Sequence, residues 1–408
     1  MPPIRLDAPF FFVRIYEKKG MPSFIVLGFP GLTFPMTCFL KGSIMKAKKR
    51  LSWLLVCLFL LMPFSTAMAK TVIKLANAGP DNPDNRTVKA VALFKYRVEK
   101  GTAGEVEVQA YHASKLGDER EALEGIRMGT IQMGTLSGGP VPGFYPEVMI
   151  YDIPYLFSSA PAAWEFFESE TGKEFADGFL KKTGVRILAT TENGYRHFTN
   201  NTRIIKGPED MKGLKIRTMQ NPAHIAMVKA LGGDPTPIAF GELYMALQQK
   251  VVDGMECPIV LINDMKFYEV QKYLVLDGHL YNPLFIFIND KFFKEKLTPA
   301  QQKVVQDAAI ELAAVHNGFS QEANIKGVAE LKAKGMDIYQ PTAGELNQFR
   351  SVAQPAGLQF ITEKIGQQWV DKALKGAAAA EAKVGGKADD IVQKLIQEAN
   401  EKYKAIQK

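Results

Sequence analysis

Five histidines, one downstream cysteine and a run of glutamates are the residues of this 408-residue chain whose types could make or break bonds. His112, His197, His224, His279 and His316 stand apart in sequence. No pair has a common metal-ligand spacing, so structural or surface roles are expected of them. Cys257 lies between Glu256 and Pro258 with no recognisable activating context, which argues against a nucleophilic thiol. Glu119, Glu121 and Glu124 share one polar helical stretch and read as a solvated face, because nothing isolates two of them as a general acid and base. No G-x-S-x-G elbow, H-E-x-x-H helix or G-x-x-x-x-G-K-S/T loop occurs, and GGPVPG at 138–143 has too many prolines for a dinucleotide-binding turn. Neither catalytic residues nor a metal or cofactor are expected.

Charge points the same way once it is placed. The chain has 50 Lys and Arg against 43 Asp and Glu, a formal +7. Nine of the basic residues and only Asp7 and Glu17 precede residue 70, so the whole excess sits there. The remainder is neutral and offers no basic surface to nucleic acid. Cys38 and Cys57 also lie in this leader. Cys257 alone cannot form an internal disulfide or a cysteine-based zinc cluster downstream.

Within the leader, MKAKKR from Met45 is followed by the apolar run LSWLLVCLFLLMPF and by STAMAK, with Ala67 and Ala69 at signal-peptidase spacing. The apolar run is short for a span of ~20 residues. A signal peptide over 45–69, cleaved after Ala69 into the periplasm, is expected. Residues 1–44 are expected to be a mis-assigned upstream extension, with Met45 the true start.

The rest must position whatever site exists, and its elements alternate. Strand patterns at 71–79, 105–111, 130–136 and 185–190 are interleaved with helical periodicity at 87–100, 119–128 and 161–181. A second region from residue 192 repeats the theme: a strand KIRT at 215–218, helices at 221–231 and 241–249, and a strand-like VDGMEC. LFIFIND at 284–290 reads as a buried strand. Thr298, Pro299 and Gln301 form a capping-box signal for a long helix to about residue 334. The pattern predicts an α/β, two-lobed architecture with a long lobe-spanning helix. Lobe 1 is expected over 70–193 plus 284–320, and lobe 2 with hinge and closing helices over 194–283 plus 321–375. Residues 376–408 read as an alanine-rich tether and an amphipathic terminal helix.

Several segments resemble the solute-binding subunits of tripartite ATP-independent periplasmic (TRAP) transporters of the DctP type. They are HASKLGDEREALEGIRMGTIQMG (112–134), ENGYRHFTN (192–200), IIKGPEDMKGLKIRTM (204–219), GGDPTPIAFGELYMALQQKVVDGMECP (232–258) and KFYEVQKYL (266–274). The resemblance spans about residues 71–370. It implies a type II-like periplasmic binding protein that closes two lobes on a small organic acid and delivers it to the small and large membrane subunits of a sodium-driven permease. It places Arg217 on the ligand carboxylate, where a planar fork of N–H donors matches two oxygens. Arg196 follows as a second donor, Asn77 and Ser137 as polar contacts, and Phe240 as a cover for the carbon skeleton. Cys257 stands where several relatives have a ligand-reaching asparagine, and Ser137 is neutral where amino-sugar-acid binders have an acid, which disfavours sialic acid. A receptor of an ATP-driven importer and a secreted enzyme acting on a small acid are the alternatives. A monomer is expected.

Overall fold

The computed structural model describes residues 70–407 and, before them, only the backbone of four strands. These are β1 (Ile4–Ala8), β2 (Phe11–Tyr16), β3 (Phe24–Phe29) and β4 (Leu32–Thr37), paired as an antiparallel meander that forms a unit of its own. The expected signal peptide over 45–69 and its cleavage point lie outside the described residues.

From residue 70 onward one ten-stranded sheet organises the chain. Its first part comprises β5 (Thr71–Asn77), β6 (Val106–Tyr111) and β7 (Met133–Ser137), with α1 (Arg86–Gly101) and α2 (Glu119–Met128) between them. Two parallel crossovers bring β6 and β7 to either side of β5. Helices α3 (Ala160–Phe167) and α4 (Glu170–Thr183) then lead into β8 (Val185–Asn200). A single helix was expected over 161–181. Ser169 divides it: its hydroxyl donates to the Phe166 carbonyl at 2.6 Å and caps the Gly172 N–H at 3.2 Å, restarting the helix.

The second part contains β9 (Lys215–Thr218), α5 (Pro222–Ala230), β10 (Asp234–Pro237), α6 (Leu243–Gln248), β11 (Gly254–Pro258), α7 (Ile259–Asp264) and β12 (Tyr273–Val275). β13 (Leu280–Asn289) returns through the middle of the sheet, followed by α8 (Asp290–Lys296), α9 (Pro299–Ala333), β14 (Asp337–Tyr339), α10 (Ala343–Ile365), α11 (Gln367–Val384) and α12 (Ala388–Ile406).

The sheet order is β10-β9-β11-β8-β13-β7-β5-β6, and β8 and β13 join its halves. β8 is far longer than the expected VRILAT strand. Its first residues pair with β13, whereas Arg196–Asn200 also pair with β11. The ladder between β8 and β13 shifts register between Asn282 and Pro283, beside Gly194 at φ 112°. A proline supplies no N–H and a glycine tolerates this backbone, so the two strands continue through the irregularity instead of ending there.

Separate cores lie on the two sides. Phe94, Leu75, Ile73 and Val108 pack with α9 in one cluster, and Phe166, Phe175, Phe179, Phe285 and Phe287 form an aromatic one. Phe198, Ile216, Val228 and Phe349 form a third beneath β9 and α5. The 35-residue α9, about 50 Å long at 1.5 Å per residue, packs on α1 and β8 and reaches α7 and β14. Its Thr298 capping box forms as its sequence predicts.

The composition change at Gly376 is not a break. The alanine run continues α11, burying Ala377 and Ala380, because alanine has the highest helix propensity and its small side chain permits close packing. The helix stops at Gly385, with φ 53°. α12 then folds back on α9: Ala399 is buried and Tyr403 meets Phe319 edge-on at 5.7 Å.

Candidate ligand-binding site

Where β8 and β13 join the two halves, a cavity opens. Arg217, Arg196, Asn77, Phe240, Ser137 and Cys257 all contribute to its wall. Five different elements and one short turn deliver them, so their convergence depends on the sheet order.

Arg217 is the third residue of the four-residue β9 and is only 2% exposed. Its Nε donates to the Ile238 carbonyl at 2.9 Å, and no carboxylate among the described residues lies within ion-pair distance. Burial lowers its guanidinium to about 10, partly offset by Glu256. It therefore remains a cation at neutral pH, desolvated and held by a neutral acceptor. Such a group is costly unless an anion joins it.

Arg196 differs. On β8 opposite Pro258 of β11, it is ion-paired through Nε to Glu256, and its Nη2 donates to the Glu256 carbonyl at 2.6 Å. Burial opposes its charge, but Glu256 overrides this and raises its pKa. Most of its donors face protein, leaving Nη1 as the nitrogen without a protein partner among the described residues.

The other four are less free than expected. Asn77 Nδ2 donates to Thr135 Oγ1 at 3.0 Å. Ser137 does not present its hydroxyl proton to the cavity: Oγ and the backbone N–H both donate to Glu119, each at 2.7 Å. Cys257 is buried, and burial raises its thiol to about 11, leaving a protonated weak donor. Phe240, in a one-turn segment, meets Phe267 edge-on at 6.1 Å.

The glutamates on α2 correct the expectation of a uniformly solvated face. Glu124 is paired with exposed Arg127 at 2.5 Å, and Glu121 completes the Asp118 capping box. Glu119, however, turns its carboxylate to Ser137 and lines the cavity. Its position in the first helical turn hid this role, since acids are common there for electrostatic reasons.

The histidines also behave differently from their sequence spacing. His224 Nε2 lies 3.0 Å from Asp152, His279 Nδ1 lies 2.7 Å from Asp277, and their other nitrogens approach Glu256 at 3.6 and 3.8 Å. Thus Glu256, one residue before Cys257, is the centre of a buried charge network supporting Arg196. Burial opposes ionisation of Glu256, but Arg196 and the two histidines hold it well below its ordinary range. Sequence reasoning also passed over Arg86, Asn193 and Met219 in the cavity wall. Met219 packs closely on Gly139: a Cβ there would stand 1.8 Å from the Met219 methyl, so the Met219 side chain would have to move aside.

The family of bacterial extracellular solute-binding proteins, family 7 (DctP), matches residues 79–364. The chain belongs to this family. A relative from Verminephrobacter eiseniae, described as a solute-binding protein, is 39% identical over 296 residues, covering 72% of this chain and 87% of its own. A TRAP periplasmic solute-binding protein from Polaromonas, solved with D-erythronate, has 34% identity and a TM-score of 0.70 over 75% of this chain and 98% of that one. The sugar-acid-binding DctP protein of Advenella mimigardefordensis, solved with galactonate, has 30% identity and a TM-score of 0.73, covering 76% and 99%. The two-lobed α/β fold is that of these DctP-family receptors. Among the described residues, no helix is long and apolar enough to cross a membrane.

Proposed function

We propose that this DctP-family chain is the periplasmic receptor of a TRAP transporter, that it captures a small organic acid through Arg217, and that it passes the acid unchanged to a sodium-coupled permease with small and large membrane subunits. One observation carries the reading. Arg217 is a buried cation in a cavity wall, hydrogen-bonded among the described residues to the neutral Ile238 carbonyl. A ligand carboxylate supplies the missing charge, and two parallel N–H···O bonds fix its orientation.

Arg196 Nη1 adds a donor from a guanidinium already held by Glu256. Phe240 and Met219 cover the carbon skeleton, while Asn77 and Cys257 offer weaker polar contacts. Glu119 retains lone pairs beyond those used by Ser137 and accepts from a ligand hydroxyl. The ligands named for the Polaromonas and Advenella structures, D-erythronate and galactonate, are hydroxylated acids with one carboxylate and support this class.

We place the lobe boundaries at 193/194 and 283/284, beside the β8–β13 irregularity. An acid bridging residues from both sides favours the closed arrangement, and the changed outer surface is the signal to the permease. Binding, with no bond broken, requires no nucleophile or general base.

The test is a thermal-shift screen of the processed protein against organic acids, with mass spectrometry of the sample before and after incubation. Saturable binding with unchanged ligand is expected. Turnover of a bound acid would replace the receptor with a secreted enzyme.

A further inference from the structure

The cavity wall has a third arginine, beside Arg217 and Arg196, that the proposed function does not use. Arg86 opens α1, is 5% exposed and forms part of the cavity wall. Its Nη1 donates to Ser320 Oγ at 2.8 Å, and its Nη2 donates to Asn193 Oδ1 at 3.0 Å; both also approach the Asn193 carbonyl. Nε–H has no partner, and no carboxylate among the described residues lies within 4.0 Å of this guanidinium.

Arg86 and Arg217 occupy different ends. An adjoining small cavity shares Arg217, Glu119, Met219 and Phe240 with the main one, but not Arg86, Thr87 or Asn193. Their electrostatic surroundings differ accordingly. Burial lowers both guanidinium pKa values; Glu256 first and Glu119 last oppose it at Arg217, whereas Asp264 and Glu192 oppose it at Arg86. The first turn of α1 adds the positive end of a 16-residue helix at Arg86. Among the described residues, no carboxylate lines the wall at the Arg86 end, whereas the Arg217 end contains Glu119.

We propose that Arg86 is a specificity-determining residue: it binds an acceptor oxygen at the end of the ligand remote from the carboxylate on Arg217. This rests on the organic-acid reading above and narrows it to acids carrying a terminal hydroxyl, carbonyl or second carboxylate. An alkyl end would leave the buried Arg86 Nε–H desolvated and still without an acceptor.

Four-carbon acids isolate the effect. Binding of butyrate, 4-hydroxybutyrate and succinate is measured by isothermal titration for the processed wild-type protein and for Arg86→Met, Arg86→Lys and Arg217→Ala. The wild type is expected to prefer at least one C4-oxygenated acid over butyrate by about tenfold or more. Arg86→Met should reduce that ratio to below about threefold, and Arg86→Lys should retain part of it by keeping the charge. A structural Arg86 would instead lower the ligand-free melting temperature and weaken all three acids in proportion, which would overturn the proposal.

The proposal also fails if Arg217-dependent butyrate binding shows no advantage for C4 oxygen, or if the advantage survives Arg86→Met. Binding that is independent of Arg217 removes the parent reading while leaving the Arg86 ratio as a separate result. Failure of all three acids to bind overturns both.

Discussion

Glu256 holds Arg196 twice, by its carboxylate on Nε and by its own backbone carbonyl 2.6 Å from Nη2. Arg217, on the neighbouring strand β9, has no such carboxylate. One arginine is fixed by an internal anion, and the other awaits an external one.

Arg217→Ala should therefore weaken acid binding by about 1.5–3 kcal/mol for each charged hydrogen bond lost, without lowering the ligand-free melting temperature. Arg217→Lys should also lose affinity because it retains charge without the fork. Titration calorimetry beside a melting curve checks both. Near-normal binding by Arg217→Ala would remove the anchor from the mechanism.

Glu256→Gln should act on both folding and binding. Neutralising one member of a fully buried ion pair costs on the order of 3–5 kcal/mol, and Arg196 also loses the partner that orients it. Chemical denaturation should show the stability loss, with weaker acid binding under conditions where the variant remains folded. Unchanged stability would contradict the central place of Glu256.

His224 sets an alkaline limit on stability. Burial alone would lower its pKa, but Asp152 at 3.0 Å, aided by Glu256, overcomes burial and raises it from 6.5 to about 9. The folded state holds this proton more tightly than the unfolded state, so the contribution is complete below pH 6.5 and disappears as pH rises through about 9. Melting temperature should decline across that interval, and Asp152→Asn should reduce the slope. Equal slopes would exclude this pair as its cause.

Gly139 and Met219 offer a test of closure. A valine at 139 would overlap Met219, so Gly139→Val should bind several-fold more weakly, chiefly through faster ligand release. Met219→Ala in the same chain should restore part of the affinity. Stopped-flow release rates distinguish this from general destabilisation.

Gly318 tests the terminal helix. A Cβ there would stand 2.6 Å from both Ala399 Cβ and the Leu395 carbonyl. Gly318→Val should cost about 1–3 kcal/mol and expose α12 to limited proteolysis. Protection equal to that of the wild type would show that the packing can adapt.

Much of this protein is set by local sequence. Thr298, Pro299 and Gln301 start α9 because they satisfy adjacent backbone groups, and KIRT forms a strand with Arg217 and Ile216 on opposite faces. The motif resemblance also singles out the residues that meet at the cavity. Ser169 was harder to read because a single serine can either continue a helix or cap a new one. Tertiary structure alone decided that Glu119 turns inward, that the separated His224 and His279 join carboxylates around Glu256, and that Arg86 reaches the wall used by Arg217. Those outcomes depend on strands β8 and β13 bringing distant segments together, and on burial making each unpaired charge significant. Sequence specifies the side chains and their local directions; only the assembled sheet determines which charges already have partners and which can receive a ligand.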